Sequence, residues 1–151
     1  MAVNIAHSVA IRVFCGEEEN ESEIMSGLKS LLPFDLEKEK IEITKQTAFG
    51  FSDKKIAIFE VVLTKNRHIK AFLENLLPKI SATDKQMLLR QLDSRIDDEA
   101  SFFVRFDKDS LAKRSDLLVT DGGSCYHVKI KIAAYPSNKE NAMKLVRELM
   151  N

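Results

Sequence analysis

The residues of this chain best suited to chemistry are basic and aromatic, and they alternate with apolar ones. From Tyr126 to Ile132, Tyr126, Val128, Ile130 and Ile132 fall at one parity and His127, Lys129 and Lys131 at the other. That is the period of a strand with one dry and one basic face. Phe102-Phe103-Val104-Arg105-Phe106 repeats the pattern, with Phe102, Val104 and Phe106 inward and Phe103 and Arg105 outward. Lys and Arg neutralise phosphates while an exposed ring stacks on a base, so two such strands predict a sheet surface that binds single-stranded RNA. The expected RNA contacts are Phe103, Arg105, Lys108, Lys129 and Lys131. A secondary set comprises Arg12, which shares a strand face with Phe14, and Lys113 and Arg114, which follow the Lys108 turn. Phe14 and Tyr135 are further rings a base could stack on. The competing account is an ordinary solvated face whose cations pair across strands with Glu60 or Asp107.

Other chemistry finds less support. Lys65, Arg67, His68 and Lys70 cluster at a helix start, where free backbone N–H groups also attract anions, and could extend a phosphate track. His7, Cys15, Cys125 and His127 are zinc-ligand types, yet His7 and Cys15 would lie roughly 25 Å apart on a continuous strand, so the four cannot meet. The carboxylates Asp93, Asp97, Asp98 and Glu99 end a helix, where acid is electrostatically misplaced, but a surface terminus in water tolerates it. No nucleophile elbow, P-loop or dinucleotide fingerprint occurs, and Gly122-Gly123 reads as a turn. Neither an enzyme, nor a cofactor, nor a metal is expected.

Composition sets the strength of any RNA site. The 151 residues carry 23 Lys plus Arg against 23 Asp plus Glu, so the net field is near zero and the site must be local. Phosphate neutralisation supplies most non-specific affinity, which makes the expected binding weak or partner-assisted and sensitive to salt. A hydrophobic content of 44% suits one self-sufficient core, read as a single domain over residues 1–151. No secretory leader or membrane span is legible, and Cys15 and Cys125 read as reduced thiols, which together predict a cytoplasmic protein.

The elements that must position these residues follow from period and punctuation. Ala6 to Phe14 reads as a strand. Ile24, Leu28, Leu31 and Leu32 form a helical stripe ending at Pro33. Ile41 to Ala48 and Lys55 to Leu63 read as a hairpin turning at Phe49-Gly50-Phe51-Ser52-Asp53. Thr64 would cap a helix carrying Ile69, Phe72, Leu73, Leu76 and Leu77, and Ser81-Ala82-Thr83-Asp84 would cap another carrying Met87, Leu88, Leu92 and Ile96. After the Phe102 strand come a turn or short helix at Asp107-Lys108-Asp109-Ser110 and a short strand from Leu117 to Thr120. A hairpin turn at Asp121-Gly122-Gly123 then leads into a long strand from Ser124 to Ala134. Ser137-Asn138-Lys139-Glu140 reads as a capping box for a final helix with Ala142, Leu145, Val146 and Leu149 inward. The order β-α-β-β-α-α-β-β-β-α, with few crossovers, predicts an α+β two-layer sandwich: a largely antiparallel sheet with helices on one face.

The runs Phe102 to Lys108 and Val128 to Pro136, with this element order, resemble an archaeal family of small proteins predicted to bind RNA and described as exosome-associated subunits. The resemblance spans nearly the whole chain. It implies a fold like that of the ribosomal protein that docks 5S ribosomal RNA, and it carries over Arg105, Asp107, Lys108, Lys129 and Lys131 as the matching polar positions. The function it suggests is an RNA-binding accessory of RNA-processing or ribosome-related machinery, without catalysis. A protein-interaction module or homodimer packed through the open sheet is the alternative.

Overall fold

The computed structural model describes residues 5–151, and the sheet in it follows the alternation of the sequence. Strand β1 (Ala6–Gly16) leads through Asn20, whose side chain accepts from the Glu23 N–H, into helix α1 (Glu21–Ser30). Acidic residues in that first turn complement the helix dipole. A one-turn helix α2 (Leu36–Glu39), capped by Asp35, precedes β2 (Thr44–Phe49) and β3 (Lys55–Leu63). Then come α3 (Asn66–Leu76), α4 (Ala82–Arg90), α5 (Leu92–Arg95), β4 (Ser101–Asp107), α6 (Lys108–Arg114), β5 (Val119–Thr120), β6 (Cys125–Ile132) and α7 (Lys139–Met150).

The strands order as β2-β3-β1-β6-β4-β5, and every pairing between them is antiparallel. One parity faces the helices. Val9, Ile11 and Val13 of β1, Phe59, Val61 and Leu63 of β3, Phe102, Val104 and Phe106 of β4 and Tyr126, Val128 and Ile130 of β6 are buried in one cluster with helical residues. The helical side supplies Ile24 and Leu28 of α1, Ile69 and Phe72 of α3, Leu88 of α4 and Val146 of α7, at the spacings that make an inward stripe. Tyr126 is fully buried, and its hydroxyl donates to the Ile24 carbonyl at 2.8 Å, so the polar tip of the largest core residue is satisfied. Gly27 makes that fit possible: a Cβ there would stand 2.2 Å from the Tyr126 hydroxyl and 3.2 Å from the Ala112 backbone, where α1 crosses α6.

The expected α+β sheet with helices against one face is therefore observed, with local departures. β5 pairs with β4, not β6, so Gly122 and Gly123 carry the chain over β4 rather than turn a hairpin. β2 starts at Thr44 because Lys40, in the left-handed region with φ 56°, closes α2 and delays the strand. Gln91 breaks the stripe from Met87 to Ile96, leaving Leu92 in the separate one-turn α5. The Ser81 cap forms, accepting from the Asp84 N–H at 3.1 Å. Lys65, not Thr64, stands at the α3 cap position and makes no side-chain cap bond, while Asn138 rather than Ser137 caps α7, accepting from Asn141.

Candidate nucleic-acid interface

The other parity of the sheet faces away from the helices. One register row crosses all six strands: Thr44, Glu60, Arg12, His127, Arg105 and Thr120. The next row carries Val62, Ala10, Lys129 and Phe103, and the one beyond it Ser8, Lys131 and Ser101. Phe14 lies two residues past Arg12 on the same face, 44% exposed, its ring centroid 6.3 Å from the His127 ring. Arg12, Phe14, Glu60, Phe103, Arg105, His127 and Lys129 line a shallow depression of about 400 Å³.

Its cations differ in how they are compensated. Arg12 Nε and Nη2 both donate to Glu60 Oε2, at 3.2 and 2.9 Å, so the cross-strand pairing with Glu60 does form. Lys129 stands 5.8 Å from the centre of the Phe103 ring, a cation–π approach that leaves the ammonium open to solvent. Lys131 donates to the Glu99 carbonyl. Among the described residues, neither Arg105 nor Lys129 has a carboxylate within salt-bridge distance. Asp107 is not a cross-strand partner either: its carboxylate caps α6, accepting from the Ser110 N–H and hydroxyl at 3.0 and 2.7 Å.

His127 sits between Arg12 and Arg105 with Cys125 Sγ 3.4 Å from its Nε2. Burial, then Arg105 and Arg12, hold the imidazole below its ordinary pKa, so it is neutral near pH 7. Burial pushes the Cys125 thiol above its ordinary pKa.

Three expected contacts lie elsewhere. Lys108 is buried at the start of α6, its ammonium donating to the Phe14 carbonyl at 2.7 Å and to both oxygens of Glu19 at 3.1 and 3.3 Å. Lys113 and Arg114 ride on α6, which packs against α1 in the helical layer, where they approach Asp109 at 3.9 Å and Asp116 at 3.8 Å. The structure thus brings together Phe103, Arg105, Lys129, Lys131 and Arg12, and sets Lys108, Lys113 and Arg114 apart from them. The cluster at α3 is also largely neutralised: Arg67 and the buried His68 both meet Glu39 Oε1, at 3.3 and 2.9 Å. Tyr135, 96% exposed, lies beyond the end of β6. Asp97 serves its own turn, accepting from the Glu99 and Ser101 N–H groups. No group of three metal-ligand side chains occurs among the described residues, and no described helix is long and apolar enough to cross a membrane.

A family model described as RNA binding matches residues 8–134. The RNA-binding protein PAB1135 of Pyrococcus abyssi is 30% identical over 143 residues, spanning 95% of this chain and 92% of that one. The crystal structure of a DUF54 protein from Archaeoglobus fulgidus superposes with a TM-score of 0.83 at 28% identity, covering 95% of this chain and 99% of its own. A DUF54 protein from Sulfolobus solfataricus gives 0.73 at 26% identity, with 93% and 98% covered. With the matched span running from β1 past β6, through every strand of the open face, this chain belongs to that archaeal-type RNA-binding family.

Proposed function

We propose that the protein binds single-stranded segments of RNA on the open face of its sheet, as a non-catalytic accessory to RNA-processing or ribosome-related machinery in the cytoplasm. One observation carries the reading: Arg105 and Lys129, free of carboxylate partners among the described residues, flank the Phe103 ring on the sheet face turned away from the described helices. Two unpaired cations beside a π surface are the parts that phosphate neutralisation and base stacking require. Association with the exosome, and a fold kinship with the 5S-rRNA-binding ribosomal protein, belong to the same proposal and rest on the resemblance in the motifs. Because the net charge is zero, binding is weak alone and strengthened by a protein partner or a second copy.

The test is salt dependence. For a short single-stranded RNA, each lost phosphate contact lowers the slope of log affinity against log salt by about 0.7. The double variant Arg105→Ala/Lys129→Ala is expected to lower it by about 1.4, two such contacts, and to weaken binding roughly tenfold at low salt. Unchanged affinity and slope would remove this face from the site.

A further inference from the structure

A carboxylate at the centre of a surface read as phosphate-binding is out of place. Glu60 lies in the same register row as Arg12, His127 and Arg105, on the floor of the depression, with its side chain 32% exposed. Phosphate contact alone would disfavour it, since like charges repel. Arg12 does not use it up: both guanidinium bonds go to Oε2, and Oε1 has no hydrogen-bond partner among the described residues. A salt-bridged carboxylate only accepts hydrogen bonds. Whatever enters the depression and satisfies Oε1 must therefore be a donor, which a phosphate is not and a base edge is.

The neighbouring ring sets how a base would arrive. Phe14 pairs with Ile58, one register step from Arg12 and Glu60 on the same face. A diagonal neighbour of that kind stands roughly 7 Å away, within reach of a base stacked on the Phe14 ring. Of the four bases, guanine alone presents two adjacent donors on one edge, ring N1–H and exocyclic N2–H₂, that the two remaining lone pairs of Oε1 can both accept. Adenine and cytosine set a ring acceptor beside their amino group, aimed at that same oxygen, and uracil has one N–H between two carbonyls. Arg12, fixed through Nε and Nη2, keeps the carboxylate oriented.

We infer that Glu60, positioned by Arg12 beside the Phe14 ring, is a specificity residue that selects guanine in a single-stranded RNA bound to the open sheet. The inference rests on the reading of that face as an RNA surface.

The test uses the full chain and three fluorescent RNA hexamers: all uridine, uridine with one central guanosine, and the same with inosine, which lacks the N2 amino group. Guanosine is expected to bind about ten- to a hundredfold more tightly than uridine, the range that a good bidentate base contact supplies. Inosine should fall between them. Glu60→Gln, nearly isosteric, should bring all three within about twofold of one another, while Lys129→Ala weakens all three alike and leaves their ratios unchanged. Equal affinities for the wild-type protein, or a Glu60→Gln variant that tightens every hexamer by the same factor, would overturn the guanine assignment and leave the RNA surface standing. Failure of all three hexamers to bind would overturn both.

Discussion

Two pairs of cations flank β4, and they differ in what surrounds them. Lys108 and Arg95 are buried and fully engaged. Lys108 joins the Phe14 carbonyl to Glu19, and Arg95 holds Gln91 and Asp121 at 2.8 Å with the Phe103 and Thr120 carbonyls at 3.4 Å. Arg105 and Lys129, a few residues away, have open positions and no carboxylate. The first pair fastens β4 to the loop after β1, to α5 and to β5. The second has no carboxylate partner among the described residues, which is the condition the proposed RNA contact requires. Residue type does not separate a structural lysine from a binding one; the number of acceptors already around its ammonium does.

The largest expected effect comes from breaking the buried pair. Lys108→Met takes the ammonium from the Phe14 carbonyl and from Glu19, which keeps the Gly16 N–H. Removing one partner from a buried pair costs several kcal/mol, reduced here because the Glu19 side chain is 31% exposed, so a loss of about 3 kcal/mol is expected. Thermal unfolding should show a melting temperature lower by about 6–12 °C. The Arg105→Ala/Lys129→Ala variant, by contrast, should melt within about 0.5 kcal/mol of wild type, the usual range for surface changes. Equal losses in the two variants would erase the distinction between these regions.

Acid separates them less sharply. Burial raises the Glu19 pKa, but the Gly16 N–H and the Lys108 ammonium outweigh it, and the carboxyl ends below its ordinary value. Asp107 is held low by the Ser110 hydroxyl and N–H, and His127 is held low by burial, Arg105 and Arg12. A depressed folded-state pKa means stability present above the unfolded value and lost as pH falls through the folded one. The melting temperature should therefore decline slightly below pH 6.5, as His127 begins to titrate in the unfolded chain, and more steeply below 4.5 as Glu19 and Asp107 follow. His127→Gln should remove the upper, shallow part, and Lys108→Met should reduce the lower one. A melting temperature that rises on acidification would contradict these assignments.

How much of this was legible in the sequence follows from the length of each signal. β1, β3, β4 and β6 alternate over seven or more residues, enough for parity alone to sort the faces correctly. β5 has two residues and no period, so its partner depends on tertiary contacts that no local pattern encodes. For Lys108 no periodic signal existed: β4 ends at Asp107 and Lys108 is the first residue of α6, where strand parity no longer applies. A charged residue in a turn reads as exposed, and it is Glu19, 89 positions away, and the Phe14 carbonyl, 94 away, that make its burial tolerable. Glu60 lies outward by the same parity, but its acidic sign runs against a phosphate surface and read only as a counter-charge to the basic residues. Lys113 and Arg114 depended on where α6 packs, and that is set by the close approach at Gly27.

The most direct test of the open face is to titrate single-stranded RNA into isotopically labelled protein and map the resonances that move. Shifts concentrated at Phe14, Phe103, Arg105, His127 and Lys129 are the predicted result. Shifts confined to the helical layer, around α3 or α6, with that face unmoved, would contradict the account.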